Sequence, residues 1–208
     1  MQDKLTTMLG LQDAMNTKVH PQWREQGFEY YRAVWVECAE LLDHHGWKWW
    51  KKQNPDVEQI KLELIDIWHF GMSMLLTEHG MSEALVTTID KRLENPVKTG
   101  TFLEAVEALA GETLTQKVFP VELFANCLLA ADMSVDALYR GYIGKNVLNF
   151  FRQDHGYQDG SYVKEWNGRE DNEHLVDILT SLDSESPSFK DDLYTGLKTR
   201  YSTVTANA

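Results

Sequence analysis

Cysteine is nearly absent: the 208-residue chain carries two, Cys38 and Cys127. Two cannot build the disulfide framework of a small secreted protein. Both lie in apolar helical patterns, Cys38-Ala-Glu-Leu-Leu and Asn126-Cys-Leu-Leu-Ala, and read as small buried hydrophobes in a reducing compartment. Long apolar runs are also missing. No segment approaches the length of a transmembrane helix, and the opening Met1-Gln-Asp-Lys-Leu-Thr-Thr lacks the apolar stretch of a signal peptide. A cytoplasmic protein with no membrane partner is therefore expected. Basic residues are the minority, 20 Lys and Arg against 32 Asp and Glu, for a net charge of −12. A chain this acidic is poorly suited to wrapping a nucleic-acid backbone. Few stretches alternate with period two, which argues against a β architecture.

What remains is ordinary globular composition, 43% hydrophobic and 25% charged, enough to bury a core without staples. Apolar residues recur at spacings of three and four. Helices are predicted over Lys4–Val19, Phe28–His45, Asp56–His79, Ser82–Glu94, Thr101–Gln116 and Val121–Ala131. A long helix starts at Ser134 and Asp136 and ends near Gly156. A glycine-containing loop runs from Gly156 to Gly168, and a short helix from Asp171 to Leu182. The expected fold class is all-α, a helical bundle forming a single domain over residues 1–182. Residues 183–208, rich in Ser, Thr and Asp, are expected to form a partly disordered tail.

Two carboxylate pairs have matching positions. Glu37-x-x-Glu40 lies on the second helix and Glu63-x-x-Asp66 on the third. At about 100° per residue, the first member of each pair sits beside its helix's apolar stripe and the second about 60° further round. Antiparallel packing through the Gly46–Asn54 connection would bring all four together. Such a cluster repels itself unless a cation enters, and all-oxygen ligation suits Mg²⁺ or Mn²⁺. Acidic pairs at this spacing are also commonplace on solvated faces. A di-iron site is disfavoured, because it needs Glu-x-x-His on two helices; His69 sits three after Asp66, but nothing matches it on the second helix.

Lys145, Asn149 and Arg152 share one face of the long helix, and Lys164 follows in the loop. They are candidates for phosphate oxygens; a solvated face with surface ion pairs is the alternative. Gln12 and Asn16 lie four apart on the apolar face of the first helix. Two amides so placed need polar partners once buried, supplied by each other, by water or by a ligand.

These segments resemble a known family. Glu37-Cys-Ala-Glu-Leu-Leu-Asp-His-His-Gly-Trp-Lys-Trp-Trp-Lys followed by Glu63-Leu-Ile-Asp-Ile-Trp-His-Phe70 is similar to the dimeric dUTPases of the all-α NTP pyrophosphatase, or MazG-like, superfamily. Leu11-Gln-Asp-Ala-Met-Asn16 resembles that family's base-recognition motif. Tyr142-Ile-Gly-Lys-Asn-Val-Leu-Asn-Phe-Phe-Arg-Gln-Asp-His-Gly-Tyr157 and Gly160-Ser-Tyr-Val-Lys-Glu-Trp-Asn-Gly-Arg-Glu-Asp-Asn172 resemble its phosphate motif. The resemblance implies Mg²⁺-dependent hydrolysis of dUTP, and of dUDP, to dUMP in a bacterial or phage-encoded homodimer. It implies that Glu37, Glu40, Glu63 and Asp66 hold the metal and carry catalysis. Gln12, Asn16 and Trp47 would frame the uracil, and His69, Phe70 and Asn149 border the deoxyribose. Lys145, Arg152 and Lys164 would hold the phosphates. Trp49 and Trp50 read as packing residues, and His44 and His45 as helix-end residues. A pyrophosphatase for another nucleotide such as dCTP, a non-catalytic dUTP sensor and a purely structural helical protein are the rival readings.

Overall fold

The computed structural model describes residues 1–183, 186 and 188–205, excluding the side chains of 204 and 205. The described chain divides into two compact units, one from Met1 to Tyr139 and one from Arg140 onward. Both are overwhelmingly helical, as the apolar periodicity requires. No described helix is long and apolar enough to cross a membrane.

The first unit contains α1 (Gln2–Val19), α2 (Tyr30–His45), α3 (Val57–His79), α4 (Glu83–Glu94), α5 (Phe102–Gln116), α6 (Val121–Ala130) and the start of α7 (Val135–Asp154). Local chemistry sets the helix starts. The Asp56 side chain accepts from the Gln59 N–H at 3.2 Å and the Ser82 hydroxyl from Leu85 N–H at 3.2 Å. Thr101 and Glu104 form a reciprocal capping box at the start of α5. α3 is the central helix: it packs on α2 and α1, while α5 packs on α2 and α6. Its residues Trp68 and Met72 are fully buried, and Trp68 stacks on Phe124 with ring centroids 5.2 Å apart. Gly71 is required here, because a Cβ would run into the Phe119 ring.

The α2–α3 connection positions the site. Gly46 closes α2 at φ +89, a conformation that favours glycine, and a Cβ there would lie 2.7 Å from Gln53 Cβ. Asp56 N–H donates to His44 O at 2.9 Å, so α3 begins beside the end of α2. Glu37 and Glu63 then stand at similar distances from the connection, on neighbouring helices.

The second unit holds the rest of α7, a two-stranded antiparallel hairpin of β1 (Glu165–Trp166) and β2 (Arg169–Glu170), α8 (Asp171–Ser181) and α9 (Phe189–Thr205). Phe151, Trp166, Leu175, Leu193 and Leu197 are fully buried in its core. The hairpin lies where the sequence pattern indicates only loop. Its two-residue turn, Asn167-Gly168, has φ +51 and +77, the conformation that Asn-Gly adopts most readily between strands. The region after Asp183 also differs from its polar composition. Leu193, Leu197 and Tyr201 recur every four residues and anchor α9 in the core. Residues 184, 185, 187 and 206–208 of the expected tail lie outside the described residues.

Candidate active site

Glu37 from α2 converges with Glu63 and Asp66 from α3. One carboxylate oxygen of each lies within 4.8 Å of the others. Glu63 is buried, and Glu37 and Asp66 are partly buried. Removal from water pushes the Glu37 carboxyl up to about 9, assisted by a hydrogen bond with Glu63 and by the charges of Asp66, Glu63 and Glu40. Three carboxylates this close share a proton when no cation is present. His44 Nε2 lies 3.5 Å from Glu63 Oε1, so this helix-end histidine borders the cluster. Glu40 is exposed one turn beyond Glu37. Its charge reaches Glu37, but its oxygens are not part of the three-residue group. It lines an apolar groove shared with Trp35, Ala39, Asp43 and Trp47.

Gln12 and Asn16 are buried and bonded to each other and to Ser73 of α3. Gln12 Nε2 donates to Asn16 Oδ1 at 3.1 Å and to Ser73 Oγ at 3.1 Å, and Asn16 Nδ2 donates to Ser73 Oγ at 2.9 Å. The internal amide pair allowed by the sequence is therefore present, with a third member that sequence reading missed. Its only local signal is a lone hydroxyl in the apolar run Met72-Ser-Met-Leu-Leu76. His69 is buried, with Nδ1 2.8 Å from Ile65 O, and Phe70 is partly buried. Trp47 is exposed; its indole N–H donates to Asp43 Oδ1 at 3.2 Å, and its ring meets Trp50 edge-on.

In the second unit, Arg152 is buried and clasped by Asp171 through Nε–Oδ2 and Nη2–Oδ1 bonds, both 2.8 Å. Tyr162 donates a further bond to Asp171 at 2.8 Å. Burial alone would raise the Asp171 carboxyl, but the bonds and charge of Arg152, with Tyr162 and Lys145, hold it below its ordinary value. Asn172 Oδ1 accepts from Lys145 Nζ at 2.9 Å and from Arg152 Nη2 at 3.4 Å, and Asn149 Oδ1 accepts from Arg152 Nη1 at 3.3 Å. Lys145, Asn149 and Arg152 thus form one network, with Asp171 and Asn172 as members to which the sequence pattern gave no role. Asp171 reads locally only as a helix-start residue. Lys164 is exposed and pairs with Glu170 at 3.3 Å.

Chemically, the first unit offers a hard-oxygen cluster fitted to a divalent cation, and the second a rigid cationic network fitted to anionic oxygens. Among curated proteins, none matches the chain. A family model described as dUTPase matches residues 4–157, well over half of the 208 residues. Lys164, Asp171 and Asn172 lie beyond the matched stretch. Because the match runs from α1 past the end of α7 and takes in all three clustered carboxylates, the chain belongs to the all-α dUTPase family, the hydrolases that act on the phosphoric anhydride of dUTP.

Proposed function

We propose that the chain hydrolyses dUTP to dUMP and pyrophosphate with Mg²⁺ as its cofactor, Mn²⁺ being a workable substitute. The observation that carries this reading is the approach of Glu37, Glu63 and Asp66 to within 4.8 Å. The donor set fits a hard divalent ion: all its atoms are oxygens, and burial, with the neighbouring charges of Asp66, Glu63 and Glu40, disfavours an ionised Glu37 in the absence of a cation. Glu40 completes the set from the solvent side. When bound, Mg²⁺ supplies positive charge that offsets the charge of the triphosphate.

The chain's own residues do the rest. Glu37 orients the attacking water and accepts its proton, a role open to a carboxylate held beside the reacting centre. Lys145, Arg152 and Lys164 hold phosphate oxygens and stabilise charge on the leaving group. The clasp of Asp171 costs Arg152 net charge and gives it a fixed direction, so its contribution is geometric more than coulombic. Gln12 and Asn16 read the uracil edge, with Trp47 beside the ring at the position of thymine's 5-methyl. His69, Phe70 and Asn149 border the deoxyribose. The water attacks the β-phosphorus, so dUDP is also a substrate. The enzyme acts as a homodimer in the cytoplasm, limiting uracil in DNA and supplying dUMP for dTMP synthesis.

The deciding experiment is release of pyrophosphate and phosphate across the common nucleotides, with and without Mg²⁺. Release confined to dUTP and dUDP and abolished by chelation is expected. Preference for dCTP, or binding without turnover, would overturn the proposal.

A further inference from the structure

Lys164 ends a ten-residue connection between α7 and β1, residues 155–164, that forms neither helix nor strand. Gly156 and Gly160 both take positive φ within it, so the connection has little conformational preference of its own. Its last three residues are nevertheless tied at successive backbone groups. Tyr162 N–H donates to Gly156 O at 3.3 Å, and Lys164 O accepts from Asp171 N–H at 3.0 Å. Val163 O accepts from the Trp166 indole N–H at 2.8 Å. Val163 N–H donates to the Tyr201 hydroxyl at 3.3 Å. The first three ties come from the connection itself, from β1 and from α8. The fourth comes from α9, 38 positions along the chain.

Tyr201 is built to hold that position. It is buried, and its ring stacks on Tyr162 with centroids 5.3 Å apart and planes 17° from parallel. It also meets Phe151 and His155 edge-on, at 5.4 and 5.1 Å. A ring packed on several sides has few other rotamers open to it, so its hydroxyl is a fixed acceptor. Tyr162 in turn donates to Asp171, which clasps Arg152. One side chain of α9 thus touches both residues that precede Lys164, one through its ring face and one through its hydroxyl. Lysine carries its charge on a flexible four-carbon stem. Fixing the backbone at its root narrows the space that the ammonium searches, and so lowers the cost of aiming it.

We propose that Tyr201 is a positioning residue for the phosphate site: it fixes the backbone from which Lys164 extends, and thereby where the Lys164 ammonium meets the triphosphate. The proposal rests on the reading of Lys164 as a phosphate-holding residue. It gives α9 a part in the reaction through a side chain that does not itself touch the substrate.

The test is kcat/KM for dUTP in the wild type, Tyr201→Phe, Lys164→Ala and the double variant, at matched helical content by circular dichroism. Tyr201→Phe keeps the ring packing and removes the acceptor of Val163 N–H. It is expected to lower kcat/KM by about two- to tenfold, the range set by one hydrogen bond, and to cost nothing further in the Lys164→Ala background. If Lys164→Ala lowers kcat/KM while Tyr201→Phe keeps the wild-type value, or if the two losses multiply, Tyr201 only packs the core and the proposal fails alone. If Lys164→Ala itself keeps the wild-type value, the phosphate-holding reading of Lys164 fails and takes the Tyr201 proposal with it. Amide hydrogen exchange in the wild type reads the same bond without a variant. Val163 N–H is expected to be protected although its side chain is exposed, and unprotected exchange would overturn the proposal.

Discussion

Arg152 and Asp171, nineteen positions apart in the chain, form a buried two-point ion pair with both bonds at 2.8 Å. The pair joins α7 to the first residue of α8, and Tyr162 adds a third bond to the carboxylate. Removing one member strands the other without water. Asp171→Ala is expected to cost about 3–5 kcal/mol of folding stability, measured by denaturant unfolding. A cost below about 1 kcal/mol, the range of surface pairs, would show that the pair is not the anchor of the second unit. Because the folded-state carboxyl lies below its ordinary value, this contribution is present above the ordinary carboxylate range and is lost as pH falls through the folded value.

Glu37 has the opposite sign. Its folded carboxyl is raised to about 9, so the folded protein holds a proton that the unfolded chain has already released. This contribution is complete below the ordinary carboxylate range and is lost as pH rises toward about 9. Thermal melts of metal-free protein should therefore fall in Tm across that window, and Glu37→Gln should show a smaller slope. Added Mg²⁺ should stabilise the wild type more as pH rises, since binding must displace the proton. An unchanged slope in Glu37→Gln would place the proton elsewhere.

Much of this was legible in the chain itself. The spans of α1 to α8 follow from apolar spacings of three and four, and Ser82 and Thr101 mark their helix starts as capping chemistry predicts. Glu37, Glu63 and Asp66 could be paired because rotation about a helix is fixed per residue and the α2–α3 connection is short. Glu40 is exposed and stands outside the three-residue group, a difference from Asp66 that the matched spacing does not distinguish. The roles of Ser73 and Asp171 escaped notice because each depends on a partner on another helix, and local periodicity carries no record of such a partner. α9 was obscured by its polar residues, although Leu193, Leu197 and Tyr201 keep helical spacing. The Asn167-Gly168 turn was a readable hairpin signal that the surrounding loop composition masked.

The proposed attack at the β-phosphorus fixes where oxygen from water should end. With ¹⁸O-labelled water, mass spectrometry should find label in pyrophosphate and none in dUMP, and dUDP should yield dUMP and phosphate at a useful rate. Label in dUMP would move the attack to the α-phosphorus while leaving the family assignment intact.

The proposed assembly is a homodimer. Sedimentation at micromolar concentration should give a mass near twice 24.0 kDa. A fully active monomer would remove the dimer from the account.

The central claim is that Glu37, Glu63 and Asp66 jointly hold the Mg²⁺ on which dUTP hydrolysis depends. Its most direct measurement is pyrophosphate release from dUTP during Mg²⁺ titration, comparing the wild type with Glu63→Gln at matched helical content by circular dichroism. The account predicts saturable Mg²⁺-dependent release in the wild type. It predicts release at background in the variant, whose metal-free fold should be as stable as the wild type or more so, one clustered charge having been removed. Wild-type release from a folded Glu63→Gln protein would contradict a shared metal site at these three carboxylates.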